Sequence, residues 1–176
     1  KDPAQWWFGV PFILTLLYLV HPIHTEVVAN IKGRDELMAL LFLLGGMIAA
    51  FKYIDNKQPF WLPIAFLSFF LGLMSKETPL PFVAILPLTI VFFRRASILQ
   101  NTMASLPFLL ATGAYLGIRF SVLGTDVGGT GSGTEILNDP FLFATKSDRA
   151  ATVIQTWGMY LIKLFAPIQL SHDYYF

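Results

Sequence analysis

The chain is a succession of long, almost uncharged apolar runs, 6–20, 37–54, 60–74, 80–93, 102–122 and 150–166, separated by polar connections. That recurrence leaves few folds open. A helix needs about 20 apolar residues to cross a hydrocarbon core about 30 Å thick. In lipid, every backbone N–H and C=O must be bonded inside its own helix or inside a closed barrel. The runs lack the period-two alternation of a barrel strand. The expected fold is therefore all-α, a polytopic transmembrane bundle of about five to six helices forming a single domain over 1–176. Hydrophobic residues make up 55% of the chain and charged residues only 13%, too apolar a balance for an ordinary soluble domain.

A net charge of +1, with twelve scattered Lys and Arg, argues against nucleic acid, whose phosphates require a basic surface. Without cysteine there are no disulfides. The opening Lys1-Asp-Pro has neither Met nor a signal-peptide pattern, which suggests a piece of a longer protein.

The connections carry the polar chemistry. Between the first two runs, residues 21–36 hold two His, three acids and two bases, far more than a change of direction needs. Asp35 is placed to cap the second helix, and Gly45-Gly46 in its middle to let another helix approach closely. A polar turn follows at 52–60. The next two runs meet at Ser75-Lys-Glu-Thr-Pro79, and the second of them contains Pro87 as a kink and closes at Arg94-Arg95. The run 102–122 carries Arg119 in its last turn and leads into one long loop, 124–147. The glycines of that loop lack the terminal Gly-Lys-Ser/Thr of a phosphate loop. The last run, 150–166, is a little short of a full crossing and either spans or lies at the interface.

Alternating helices put Lys1, Lys52, Lys57, Arg94 and Arg95 on one side, opposed only by Asp2 and Asp55. The other side receives Lys32, Arg34, Lys76, Arg119, Lys146 and Arg149, but among eight acids. We read the first side as cytoplasmic and the mixed-charge side as the functional, non-cytoplasmic one.

Lys76 stands out there. The runs flanking it are short, so its turn sits at or below the headgroups, where an ammonium needs an anion, protein or water. A lipid phosphate is one such anion; pairing with Glu77 or snorkelling is the alternative. His21, His24 and Glu26, with His172 more distant, suggest a metal less than a hydrogen-bonding set, because His-x-x-His-x-Glu does not place both imidazoles on one helix face. Pro22 starts a short helix in either case, and these groups can equally serve backbone atoms. Arg34, Arg119 and Arg149 share the same side and suit a phosphate, or act as interfacial anchors. No cofactor is expected, and a divalent metal stays open.

Five phrases, His21-Pro-Ile-His-Thr-Glu-Val-Val28, Gly33-Arg-Asp35, Gly72-Leu-Met-Ser-Lys-Glu77, Asn138-Asp-Pro-Phe141 and Leu170-Ser-His-Asp-Tyr174, occur in an order that resembles the polytopic membrane O-mannosyltransferases with C-terminal tetratricopeptide repeats and their bacterial relatives. The resemblance implies a GT-C glycosyltransferase that takes a mannose-like sugar from a polyprenyl-phosphate carrier to a protein or other acceptor hydroxyl on the non-cytoplasmic face. It implies that Lys76 neighbours the donor phosphate and that 21–35 borders sugar and acceptor. The family's acidic pair and its repeats would lie outside this chain, which alone should be inactive. On this reading Glu26, His24 and Asp35 are the candidate catalytic groups. His21, Lys76, Glu77, Arg34, Arg119, Arg149, His172 and Asp173 are the candidate substrate contacts. Donor, bilayer and protein acceptor are the expected partners. The rival reading is a transporter or channel segment, because membrane-embedded charges also line solute paths.

Overall fold

The computed structural model describes residues 9–124 and 145–168, except the side chains of Glu26 and Leu123. It contains helices and no strand among the described residues: α1 (Val10–Leu19), a 3-10 turn (Pro22–His24), α2 (Thr25–Ala29), a second 3-10 turn (Ile31–Gly33), α3 (Arg34–Asn56), α4 (Trp61–Ser75), α5 (Phe82–Arg94), α6 (Ile98–Leu123) and α7 (Lys146–Phe165). The chain divides into two units, Ile31–Gly129 with α3 to α6, and Lys1–Asn30 together with Thr130–Phe176, which holds α1, α2 and α7.

In the first unit α3 and α4 pack closely because small residues face each other. A Cβ added at Gly46 would lie 3.3 Å from Phe108 Cζ, 3.4 Å from Ala65 O and 3.5 Å from Phe69 N. One added at Gly72 would meet Ala39 O at 3.4 Å and Leu43 N at 3.6 Å. The Gly45-Gly46 pair thus does what its position in the run suggests. Around this seam Phe69, Leu73, Leu86, Ile90 and Phe108 are fully buried, with the Phe69 and Phe108 rings 4.3 Å apart. Asn101 of α6 donates its Nδ2 hydrogen to Pro87 O of α5 at 3.2 Å, and Ser105 Oγ donates to Asn101 Oδ1 at 3.3 Å. This is an interhelical polar tie in an otherwise apolar core.

The outside of the unit is apolar as well. Leu41, Phe92, Phe93, Leu109 and Val122 are all exposed, Phe92 by 78%. A helix that is hydrophobic on both its packed and its outer face belongs in a membrane. Two helical stretches are long and apolar enough to cross, Ile31–Asn56 with 26 residues and Ile98–Val122 with 25. With 15 and 13 residues, α4 and α5 rise only about 22 and 20 Å. In the second unit, α1 and the helical stretch Pro22–Ala29 form one apolar path bent by 46°. His21 is the N-cap where Pro22 starts the turn, as the sequence suggests.

Several helix boundaries differ from those read in the sequence, three starts by three or four residues. α6 begins four residues early because Ser97 and Gln100 form a reciprocal capping box, and α7 begins early because Thr145 and Asp148 do the same. α3 begins at Arg34, continuing from the 3-10 turn at Ile31–Gly33, so Gly33 is its N-cap and Asp35 lies inside the first turn. The Asp35 carboxylate accepts instead from the Glu36 amide at 2.8 Å. Because α6 continues to Leu123, Arg119 sits before the last turn, not in it.

Candidate functional site

The helices of the first unit run alternately up and down, which gathers the start of α3, the end of α4, the start of α5 and the end of α6 at one end. There Lys76 Nζ lies 2.8 Å from Glu36 Oε1 and 3.3 Å from Asp35 Oδ2. Thr78 Oγ1 donates to Glu36 Oε2 at 3.0 Å. Arg119 Nη1 donates to Glu77 Oε2 at 2.5 Å and to Tyr115 Oη at 2.8 Å. Five charged side chains from α3, the 75–79 turn and α6 thus form two adjoining clusters, each partly open to its surroundings: Lys76 is 34% exposed and Arg119 30%.

The pairing of Lys76 with Glu77, left open by the sequence as an alternative, is not what the chain adopts. Lys76 is the C-cap of α4 in an extended conformation, φ −158° and ψ 157°. Successive side chains of extended backbone point to opposite sides, so Lys76 turns to α3 and Glu77 to Arg119. Hydrogen bonding to Glu36, with Asp35 adding to it, raises the Lys76 pKa above the usual lysine value, and the group is an ammonium at any physiological pH. Three donors belong to that ammonium, and with two given to carboxylates the third has no partner among the described residues. Arg119 commits only Nη1, and its Nε and Nη2 edge makes no hydrogen bond among the described residues.

The remaining candidates distribute as follows. Arg34 is exposed in the first turn of α3. In the second unit, His21 Nδ1 accepts from Ile23 N at 3.2 Å, which leaves Nε2 protonated to donate to Leu164 O of α7 at 3.0 Å. Both ring nitrogens therefore serve backbone groups, the plainer of the two roles the sequence allowed. The His24 ring packs on Tyr18 at 4.5 Å between centroids and edge-on to His21 at 6.1 Å. Glu26 lies in α2, its side chain outside the described residues, as are His172, Asp173 and the phrases at 138–141 and 170–174. Arg149 sits in the first turn of α7, beside the Asp148 capping carboxylate. Among the described residues no group of three or more His, Asp or Glu is arranged to hold a metal ion.

Sequence reasoning passed over three participants, Glu36, Thr78 and Tyr115. Tyr115 was within reach of it, since residues i and i+4 share a helix face and Tyr115 precedes Arg119 by four. Glu36 and Thr78 depend on which helix ends meet, and that is tertiary information.

No family model matches the chain, and no solved structure matches it. Curated proteins do. It is 29% identical to Protein O-mannosyl-transferase F38B6.6 of Caenorhabditis elegans over 95% of this chain and 22% of that protein. It is 41% identical to Protein O-mannosyl-transferase TMTC4 of Mus musculus over 46% of this chain and 12% of the relative. To Protein O-mannosyl-transferase TMTC3 of Homo sapiens it is 34% identical over 64% of this chain and 12% of the relative. The chain thus spans less than a quarter of the length of the curated relatives it matches. The alignment with the first covers nearly the whole chain, both units included, and so carries the resemblance seen in the five phrases to the sequence at large. By sequence the chain is similar to part of the length of proteins named protein O-mannosyl-transferases.

Proposed function

We propose that this chain is a membrane-embedded part of a GT-C type glycosyltransferase with about five to six crossings in this region, moving a mannose-like sugar from a polyprenyl-phosphate carrier to a protein hydroxyl on the non-cytoplasmic face. The observation that carries the reading is the charged end of the α3 to α6 unit, where Lys76 stands at the tip of α4 and α5, two helices too short to lift it clear of the headgroups, and Arg119 of α6 joins it by pairing with the neighbouring Glu77. A phosphate leaving from a lipid carrier emerges at that depth. The third donor of Lys76 and the Nε and Nη2 edge of Arg119, without partners among the described residues, suit its oxygens, the guanidinium in a two-point contact. Preorganised cations of this kind favour the charge that develops on a leaving phosphate.

The carboxylates have a part in this. Glu36 and Asp35 hold Lys76 in place, and a donor phosphate competes with them for the ammonium. At this exposure an ion pair is screened and contributes little, so exchange of partners is cheap. Glu26 and His24 are the candidates for accepting the acceptor hydroxyl's proton, and Asp35 is occupied as the counter-ion of Lys76. Arg34, on the first turn of α3, adds to the positive potential of the same end.

Sugar transfer by the full-length protein reconstituted in liposomes tests the reading, with a polyprenyl-phosphate mannose donor and a Ser/Thr-rich acceptor protein. Transfer that falls at least tenfold in Lys76→Ala and recovers in part in Lys76→Arg supports it. Absence of transfer from any lipid-linked sugar, together with protein-dependent solute flux across the same liposomes, overturns it in favour of a transporter.

A further inference from the structure

The opposite end of the α3 to α6 unit has a different character. It carries Lys52, Lys57, Arg94 and Arg95, all exposed, against the single carboxylate of Asp55. Arg94 pairs with Asp55 at 3.1 Å while its guanidinium lies over the Phe51 ring at 5.0 Å, and the Lys52 ammonium lies 4.4 Å from the centre of the Trp61 ring. Aromatic faces thus hold two of the cations at the rim.

The other two sit in unusual backbone. Lys57 closes α3 with φ 56° and Arg95 closes α5 with φ 48°, and they are the two non-glycine residues of positive φ among the described residues. A left-handed residue after a helix is the position that glycine fills without steric cost. Here both such positions hold a cation, and both lie at the same end. The negative ends of the two helix dipoles account for part of this preference, and they act on any cation in the last turn without requiring the strained position. Directly beside this rim the surface is apolar, with Phe60, Phe92, Phe93 and Ile98 exposed, Ile98 by 88%.

A belt of exposed apolar and aromatic side chains under a ring of cations matches the boundary between acyl chains and anionic headgroups, not a soluble anion. We infer that the end of the bundle formed by Lys52, Lys57, Arg94 and Arg95 is a binding surface for anionic phospholipid headgroups, with Lys57 and Arg95 as its uncommitted cations. It selects the lipids in contact with this end, independently of the sugar-transfer reading of the other end.

The backbone supplies an unusually clean test, because replacing Lys57 and Arg95 by glycine removes two charges while relieving both positive-φ positions. The chain is reconstituted in phosphatidylcholine bilayers doped with spin-labelled phosphatidylglycerol or phosphatidylcholine, and the association of each label with the protein is read from its motionally restricted spectrum. The native chain prefers phosphatidylglycerol, and the preference weakens as salt is raised. Lys57→Gly with Arg95→Gly lowers it, by up to about thirtyfold if each cation acts at full strength near the surface. The corresponding pair of asparagine substitutions, also tolerant of positive φ, gives the same loss and guards against a folding defect of the first. Lys146→Gln, in the first turn of α7, leaves the preference unchanged. Equal association of both labels, a preference untouched by both double variants, or an equal loss in Lys146→Gln overturns the inference. So does full competition by soluble glycerol phosphate, which would make the site one for a free anion.

Discussion

Substituting Gly46 by leucine tests the packing that builds both ends of the bundle. The first carbon added there already meets Phe108 Cζ at 3.3 Å, Ala65 O at 3.4 Å and Phe69 N at 3.5 Å. Two of those three atoms are backbone and cannot rotate aside, so the remaining atoms of leucine must push α4 away from α3. Overpacking of this kind costs about 1–3 kcal/mol. Removing a mid-helix glycine returns at most about 1 kcal/mol. At Gly113 an added Cβ meets nothing within 4 Å, and leucine there collects only the propensity gain. The difference between the two variants therefore isolates the overpacking, about 1–3 kcal/mol with Gly46→Leu the less stable. Unfolding of the chain by SDS titration in mixed micelles, followed by far-UV circular dichroism, measures it. Equal stability of the two variants within about 0.5 kcal/mol would refute the close approach of α3 and α4.

His21→Ala removes both the cap on Ile23 N and the bond to Leu164 O, and the same titration should show a loss of about 1–3 kcal/mol, partly restored by His21→Asn, which can still cap. Asp148 is held below the usual aspartate pKa, chiefly by the Thr145 hydroxyl and then by the Thr145 amide. A depressed folded pKa means that its contribution is complete above the unfolded value of 3.8 and is lost as pH falls through the lower folded value. Hydrogen exchange at the first turn of α7 should accelerate across that acidic window in the native chain, whereas a pH-independent protection ratio between native and Asp148→Asn would contradict it. His24→Ala and Glu26→Gln should lower single-turnover sugar transfer by the full-length protein by about 10²-fold or more while leaving its melting curve in place; a normal rate from a less stable protein would make them structural.

Much of the bundle was legible because apolar runs of helical length admit few alternatives: α4 and α5 fall within about two residues of the runs read at 60–74 and 80–93. The starts of α6 and α7 were legible too, in Ser97-x-x-Gln100 and Thr145-x-x-Asp148, but the apolar pattern begins later than the cap and drew the boundary inward. The charged end was legible only as composition. Lys76, Glu77, Asp35 and Arg119 could be picked as unusual residues at apolar borders, yet their pairing depends on the extended conformation of one residue, Lys76, and on which helix ends meet. Sequence neighbours proved the wrong partners for that reason. The capping role of His21 has a local cause, since a histidine directly before a proline-initiated turn is well placed to cap it.

The most direct measurement is donor binding by the full-length protein carrying Lys76→Gln or Glu36→Gln, with a polyprenyl-phosphate mannose as ligand. If Lys76 meets the donor phosphate and Glu36 competes for it, the two substitutions act in opposite directions. Lys76→Gln should weaken binding about tenfold or more, the scale of a charge-assisted hydrogen bond, and Glu36→Gln should leave it unchanged or strengthen it. A simple structural ion pair predicts parallel behaviour instead, with both variants losing stability together and neither altering the affinity measured per folded molecule. That parallel result would contradict the account.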